Sequence, residues 1–193
     1  MDIFYEKVSA QDIYVDDREI WARLGGIGAL DDARIKSVIK EIASVAVPAF
    51  VFCELSVRVN NAKCVYTDEL SVASESFAKM VNNCPRVLVI CATIGAGVDR
   101  LIHKKSTLSV SEGFVFDAVA SAMVEGLMNL AEVKCTSGKE HTGRFSPGYG
   151  DMPLGIQESI INLLDTNRRL GLTLTESKLM TPTKSITALV GLK

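Results

Sequence analysis

Apolar residues recur at more than one period along this chain, and the positions where the rhythm changes mark out its elements. From Asp31-Asp32 onward, Ile35, Val38, Ile39, Ile42, Val45 and Ala46 keep the three-and-four spacing of one helix face until Pro48. A shorter helix over Asp17 to Leu24 precedes it, capped by Asp16 or Asp17 and closed by Gly25-Gly26. Met1 to Val15 alternates enough for a short strand or an arm. Beyond Pro48, Ala49 to Val59 and Ala62 to Thr67 are rich in β-branched and aromatic residues. Asn60-Asn61 between them predicts a hairpin, because Asn tolerates the left-handed conformation of a tight turn.

The second half continues the alternation of helix and strand signals without a strict order. Ser74 to Val81 predicts a short helix, and the unbroken apolar run Arg86 to Ala92 a central strand buried on both faces. A helix from about Ala96 to Lys104 follows, then a long one from about Ser111 to Lys134. The long helix carries Phe114, Val115, Ala118, Val119, Ala122 and Met123, with small residues that predict close packing. Cys135 to Gly150 is rich in Gly, Ser and Lys and reads as a loop. Asp151 and Pro153 start another helix, with Ile156, Ile160, Ile161, Leu163 and Leu164 inward and Gly171 at its end. Leu172 to Met180 and Ser185 to Leu192 close the chain as strands joined across Thr181-Pro182-Thr183. The sequence carries no repeat, low-complexity tract or linker. The mixed order predicts an α+β fold in a single domain over residues 1–193, with a helical N-terminal part (1–48) and an α+β core (49–193).

Composition narrows what such a domain does. With 48% hydrophobic and 23% charged residues the chain can bury a sizeable core. A net charge of -2 and 6% aromatics give neither the basic footprint nor the stacking surface of a nucleic-acid binder. No signal peptide opens the chain and no run of ~18 apolar residues is evident, so neither a membrane partner nor export is expected. Cysteines 53, 64, 84, 91 and 135 are odd in number and none forms a C-x-x-C pair. Free thiols in a reducing, cytoplasmic setting are the expected state.

Three stretches offer chemistry. His103 and His141 are the only histidines, too few for a metal site built on imidazole, and no metal ligand set is expected. Neither lies in an Asp-x-His-x-x-Gly pattern, so the chain is not expected to ligate cobalt of a corrinoid itself. Thr93-Ile94-Gly95-Ala96-Gly97 is a glycine turn between strand and helix, where backbone N–H groups can meet a phosphate. It lacks the third glycine of a dinucleotide fingerprint and the Gly-Lys-Ser/Thr of a P-loop, and reads as a tight connection. The third stretch is Arg144-Phe145-Ser146-Pro147-Gly148-Tyr149. Arg supplies a planar fork for a carboxylate, Pro stiffens the backbone, Gly lets a ligand approach and Tyr offers a flat face with a polar tip. Chemistry alone leaves two readings open: an anion-recognising loop, or a surface turn whose Arg pairs with a nearby acid.

The Arg-x-x-x-Gly-Tyr pattern of Arg144 to Tyr149 resembles the S-adenosylmethionine signature of the activation domain of cobalamin-dependent methionine synthase. Leu174-Thr175-Glu176-Ser177, then Met180, Pro182 and Ser185, is similar to the family's Leu-Thr-Glu-Ser…Met-x-Pro-x-x-Ser run at matching spacing. Thr93-x-Gly95, Asp99 and the helix carrying Glu125 are looser matches. Ser121 stands where the family has an acid, and the Leu189-Val190 region where it has a Tyr. The resemblance covers about residues 86 to 192 and implies a twisted, mainly antiparallel sheet flanked by helices. It implies an S-adenosylmethionine site in which Arg144 grips the carboxylate, Glu125 and Glu140 face the sulfonium, and backbone groups of Phe145 and Ser146 meet the adenine. Gly148 would keep the approach open and Tyr149 would lie toward a corrin ring. It also implies an accessory rather than a catalytic role: reductive methylation of cob(II)alamin held by a partner methyltransferase, with a flavodoxin-like electron donor. A non-catalytic module that caps a corrinoid protein without binding S-adenosylmethionine is the alternative.

Overall fold

The structure, a computed structural model, describes residues 1–25, 31–60 and 64–193. In chain order its first half runs β1 (Phe4–Lys7), α1 (Asp17–Arg23), α2 (Asp32–Val45), β2 (Ala49–Ser56), β3 (Arg58–Asn60), β4 (Cys64–Tyr66), β5 (Ser71–Ala73), α3 (Glu75–Val81) and β6 (Arg86–Thr93). The second half runs α4 (Ala96–Leu108), α5 (Val110–Thr136), β7 (His141–Phe145), α6 (Ile156–Leu163), α7 (Thr166–Leu170), β8 (Thr173–Leu174), β9 (Met180–Thr181) and β10 (Ser185–Leu192). Five strands make one antiparallel sheet in the spatial order β1-β2-β6-β10-β7. The fold is α+β, as the sequence predicts.

The apolar run of β6 lies in the middle of that sheet because it has no polar face to offer water. Leu88, Ile90 and Ala92 point into one core, and Val87, Val89 and Cys91 into the other. The first core is filled by α5, with Phe116, Met123, Leu127 and Met128 fully buried, and closed by α1, α2 and α4. The second is closed by Phe77 and Val81 of α3, Ile160 and Ile161 of α6, and the small β3-β4-β5 sheet. Helix α5 is, by length and composition, apolar enough to cross a membrane. Most of its apolar side chains are spent on this core, which explains a run that the sequence reading passed over.

Caps set the helix boundaries. Asp31 accepts from the Arg34 N–H at 2.6 Å, and Ser74 from the Phe77 N–H at 3.1 Å. Ser109 accepts from the N–H of Glu112 to open α5. The turn Thr93 to Gly97 is a packing device: Gly95 has φ +87°, and a Cβ at Gly97 would meet the Val45 carbonyl oxygen at 2.4 Å. The glycines let α4 start against the end of α2, which is the tight-connection reading.

Three boundaries differ from expectation. Ala49 to Val59 is two strands, since the chain leaves the main sheet at Val57 and β3 pairs with β4 in a separate sheet. The Asn60-Asn61 turn falls partly on Asn61, outside the described residues, as does Gly26 after α1. The helix after Pro153 is broken in two at Asp165, which takes a left-handed φ of 50°. Leu172 to Met180 is a tiny hairpin of β8 and β9 around residues 175–179, because the Thr175 N–H and carbonyl side turn back on Leu179 and Lys178. The short strand expected within Met1 to Val15 is β1, which forms an edge of the main sheet.

Candidate functional site

Arg144 and Phe145 lie on an edge strand, which corrects the loop expected over Cys135 to Gly150. The short polar run His141–Phe145 shows no apolar alternation, but β10 supplies a partner, with Arg144 opposite Val190 and Phe145 opposite Leu189. The pairing stops there. The chain turns away at Ser146, so Ser185 to Ala188 of β10 has no strand neighbour on that side. A cleft of about 400 Å³ opens over this free edge.

Alternation along β7 sends its two large side chains to opposite faces. Phe145 goes into the second core, its ring 5.6 Å from that of Phe77, and does not line the cleft. Arg144 goes toward α5. Its Nη2 lies 3.4 Å from Glu125 and its Nε 3.5 Å from Glu132, whose other oxygen lies 3.6 Å from His141 Nδ1. Glu125 is also 4.0 Å from Arg23. Arg144 Nη1 is buried and has no hydrogen-bond partner among the described residues, a costly state for a guanidinium nitrogen. So Arg144 pairs with acids, as one sequence reading had it, and the same residue lines the cleft.

After Arg144 the chain makes a compact turn. Tyr149 N–H donates to the Ser146 carbonyl at 3.1 Å, and Gly148, at φ +85°, donates to that of Met152 at 3.0 Å. Ser146, Pro147 and Tyr149 line the cleft, and Tyr149 is 69% exposed. Asp151 does not start α6. Its carboxylate instead accepts from Ser74 Oγ and the Glu75 N–H, both at 2.6 Å, and so ties the turn to the start of α3. The Ser74 hydroxyl, with the Glu75 and Ser76 amides, holds the Asp151 carboxyl down at about 2.

The opposite wall is the β8–β9 hairpin. Lys178, Leu179 and Met180 face the cleft, and Thr175 stiffens the hairpin by accepting from the Leu179 N–H at 3.1 Å. Lys178 is paired with Glu158 of α6. The floor contains a residue that sequence reading missed. Gln157 is 3% exposed, and its Oε1 accepts from Thr187 Oγ1 at 2.9 Å. Its amide nitrogen makes no hydrogen bond to the described residues, and Gln157 lines the cleft. Gln157 occupies a helix position flanked by apolar Ile156 and Ile160, where a buried amide is out of pattern, and that was the available signal.

Of the predicted site residues, Arg144, Glu125, Ser146 and Tyr149 converge on the cleft, and Gly148 shapes its loop. Glu140 does not. It sits before β7, pairs with Lys193 at 2.6 Å and is held below the usual carboxylate range by that ammonium. Sequence proximity to Arg144 misled here, because residues 141–145 are extended and carry Glu140 to the far end of the strand. Among the described residues no three of His, Cys, Asp and Glu converge as a metal site. His103 is exposed on α4, and Cys53 and Cys135 are buried, both thiols pushed up to about 12 by burial.

An antiparallel five-stranded sheet with a long buried helix on one face and a cleft at its open edge defines the class: an α+β domain. The particular likeness is to a solved structure, "Crystal Structure of the MetH Reactivation Domain bound to AdoHcy", at a TM-score of 0.75. It covers 100% of this chain and 78% of that one, at 12% sequence identity. At that identity the likeness is one of fold. No protein-family model matches the chain, and no curated protein matches it.

Proposed function

We propose that the cleft binds S-adenosylmethionine, and that the chain serves as an activation subunit for a separate cobalamin-dependent methyltransferase. The observation that carries this reading is Arg144: a partly buried guanidinium, with one nitrogen unpartnered, lining a cleft in a fold otherwise seen with AdoHcy bound. A volume of about 400 Å³ is in the range of small-ligand sites, roughly 300–1,000 Å³.

The residues fit the ligand's chemistry. Arg144 lines the cleft and would meet the ligand's carboxylate in a charge-assisted pair. Glu125 supplies negative charge for a sulfonium, and the free edge of β10 presents main-chain groups to a nucleoside. The ligand would supply an electrophilic methyl group, and an electron from a flavodoxin-like donor would complete reductive methylation of cob(II)alamin on the partner. Tyr149, Leu154 and Leu179, 69, 43 and 61% exposed, rim the cleft as a partner-facing surface. A reducing, cytoplasmic setting belongs to the same proposal, since the five cysteines are unpaired.

Calorimetric titration with S-adenosylmethionine and S-adenosylhomocysteine tests the reading: saturable binding is expected, and a flat trace at millimolar ligand overturns it. The exposed apolar rim also suits the second reading, a module that docks on a corrinoid protein without ligand. Capture of a corrinoid methyltransferase by wild type and Arg144→Ala alike, with no ligand bound to either, would favour it.

A further inference from the structure

A second concavity lies at the opposite edge of the sheet from the cleft. It runs between the segment after β1 and the C-terminal half of α2, and encloses about 740 Å³. Its apolar surface includes Val8, Ile39 and the 60% exposed Val47. Three lysines edge it: Lys7 from the end of β1, and Lys36 and Lys40 one turn apart on α2. Among the described residues no acidic one lines it. Neighbouring carboxylates are engaged elsewhere, Glu41 with Lys105 at 2.7 Å and Glu6 with Lys134. Asp12, on the turn Ala10–Asp12, lies outside the lining. None of the three lysines has an ion-pair partner among the described residues, whereas most other cations of the chain do. In a chain of net charge -2 this is a local excess of positive charge over apolar surface.

We propose that this groove docks an acidic, amphipathic segment of a partner protein. The arrangement of charge selects that occupant. Lys36 and Lys40 follow one another along one wall, about 6 Å apart at Cβ, and Lys7 stands on the other. A single anionic headgroup needs cations that converge on one point, whereas a peptide displays carboxylates at intervals and can meet both walls while its apolar side chains enter between them. Such complementarity gives on-rate and register, and apolar contact supplies much of the affinity. The cleft is at the β7 edge and the groove at the β1 edge, so the partner and a cleft ligand bind without competing.

The test uses the full chain and a fluorescently labelled short peptide alternating glutamate and leucine, read by anisotropy. Saturable binding is expected, weakened at least about ten-fold by high salt and by Lys36→Glu combined with Lys40→Glu. A lysine-leucine peptide should not bind. Both substituted lysines are exposed, so the variant's thermal melt should match wild type. Equal binding by the variant, or no binding of the acidic peptide, overturns the proposal. Flotation of the chain with phosphatidylglycerol vesicles, lost in the variant while the peptide fails to bind, would assign the groove to a lipid surface instead.

Discussion

The main sheet ends differently at its two edges. At the β7 edge, charges already answer one another: Arg144 lies between Glu125 and Glu132, and Lys178 meets Glu158, leaving few donors in reserve. At the β1 edge, Lys7, Lys36 and Lys40 surround apolar surface with no acid opposite. A balanced network holds side chains in place before a small ligand arrives and so suits recognition by geometry. An unbalanced patch projects its field outward and suits encounter with a larger acidic surface. One sheet thus presents a preorganised site and an attracting site.

Helix α5 supports both edges, and removing that support is the strongest way to break the comparison. Glu125 reaches the cleft, while Gly126 next to it lets the Tyr14 backbone approach so closely that a Cβ would meet its carbonyl oxygen at 2.1 Å. Leu127 is fully buried in the core between the two. Leu127→Ala should destabilise the chain by about 2–5 kcal/mol in denaturant melts, through lost burial and a residual cavity. Spectroscopic probes at Tyr149 and Lys36 should report one transition; two separate transitions would show the edges to be independent.

Arg144→Ala attacks the cleft alone. It removes the guanidinium that lines the cleft and leaves Glu125 and Glu132 without their shared cation. Removing one partner of a buried charge pair commonly costs about 2–5 kcal/mol, so S-adenosylmethionine affinity should fall on the order of a hundred-fold. Peptide binding at the groove should not move. A variant that binds the ligand as wild type does would remove Arg144 from the site.

How far these features could be read from sequence follows from where they sit. β6 was legible because burial on both faces leaves an unbroken apolar run, and α5 because its packing imposes a helical period. β7 was not. Its pairing partner, β10, lies more than 40 residues downstream, and His141–Phe145 carries no local strand pattern. Arg144, Tyr149 and Ser185 were legible through motifs and Glu125 through the resemblance, but Gln157 and Thr187 join them only through the fold. Asp151 was read as a cap for the helix after it because local spacing allows that; its carboxylate goes instead to α3, a contact across 75 or so residues.

A finer comparison concerns Gln157. Gln157→Met alone would leave the Thr187 hydroxyl buried without its acceptor, costing stability by about 1–3 kcal/mol. Pairing it with Thr187→Val removes both partners and should restore most of that stability. If the Gln157 amide serves only to hold β10 against α6, ligand affinity recovers with the double variant. If it meets the ligand, affinity stays lower by roughly ten-fold in both variants, and the groove is again untouched.

The smallest expected effect is also the most local. Asp151 has a carboxyl depressed to about 2 from an ordinary 3.8, chiefly by the Ser74 hydroxyl. A depressed folded-state value means the tie between the Tyr149 turn and α3 is complete above about pH 4. It is lost as pH falls toward 2, because protonation removes the charge that Ser74 and the two amides stabilise. In an NMR titration the Glu75 and Ser76 amide signals should move with a midpoint near 2, and Asp151→Asn should abolish that step. Signals from Val8 and Ile39 should not share it, since the carboxylate touches only the start of α3. A midpoint near 3.8 would mean that the tie is not formed in solution. The same step at Val8 would mean that acid acts on the whole sheet, and the two edges would then have to be treated as one.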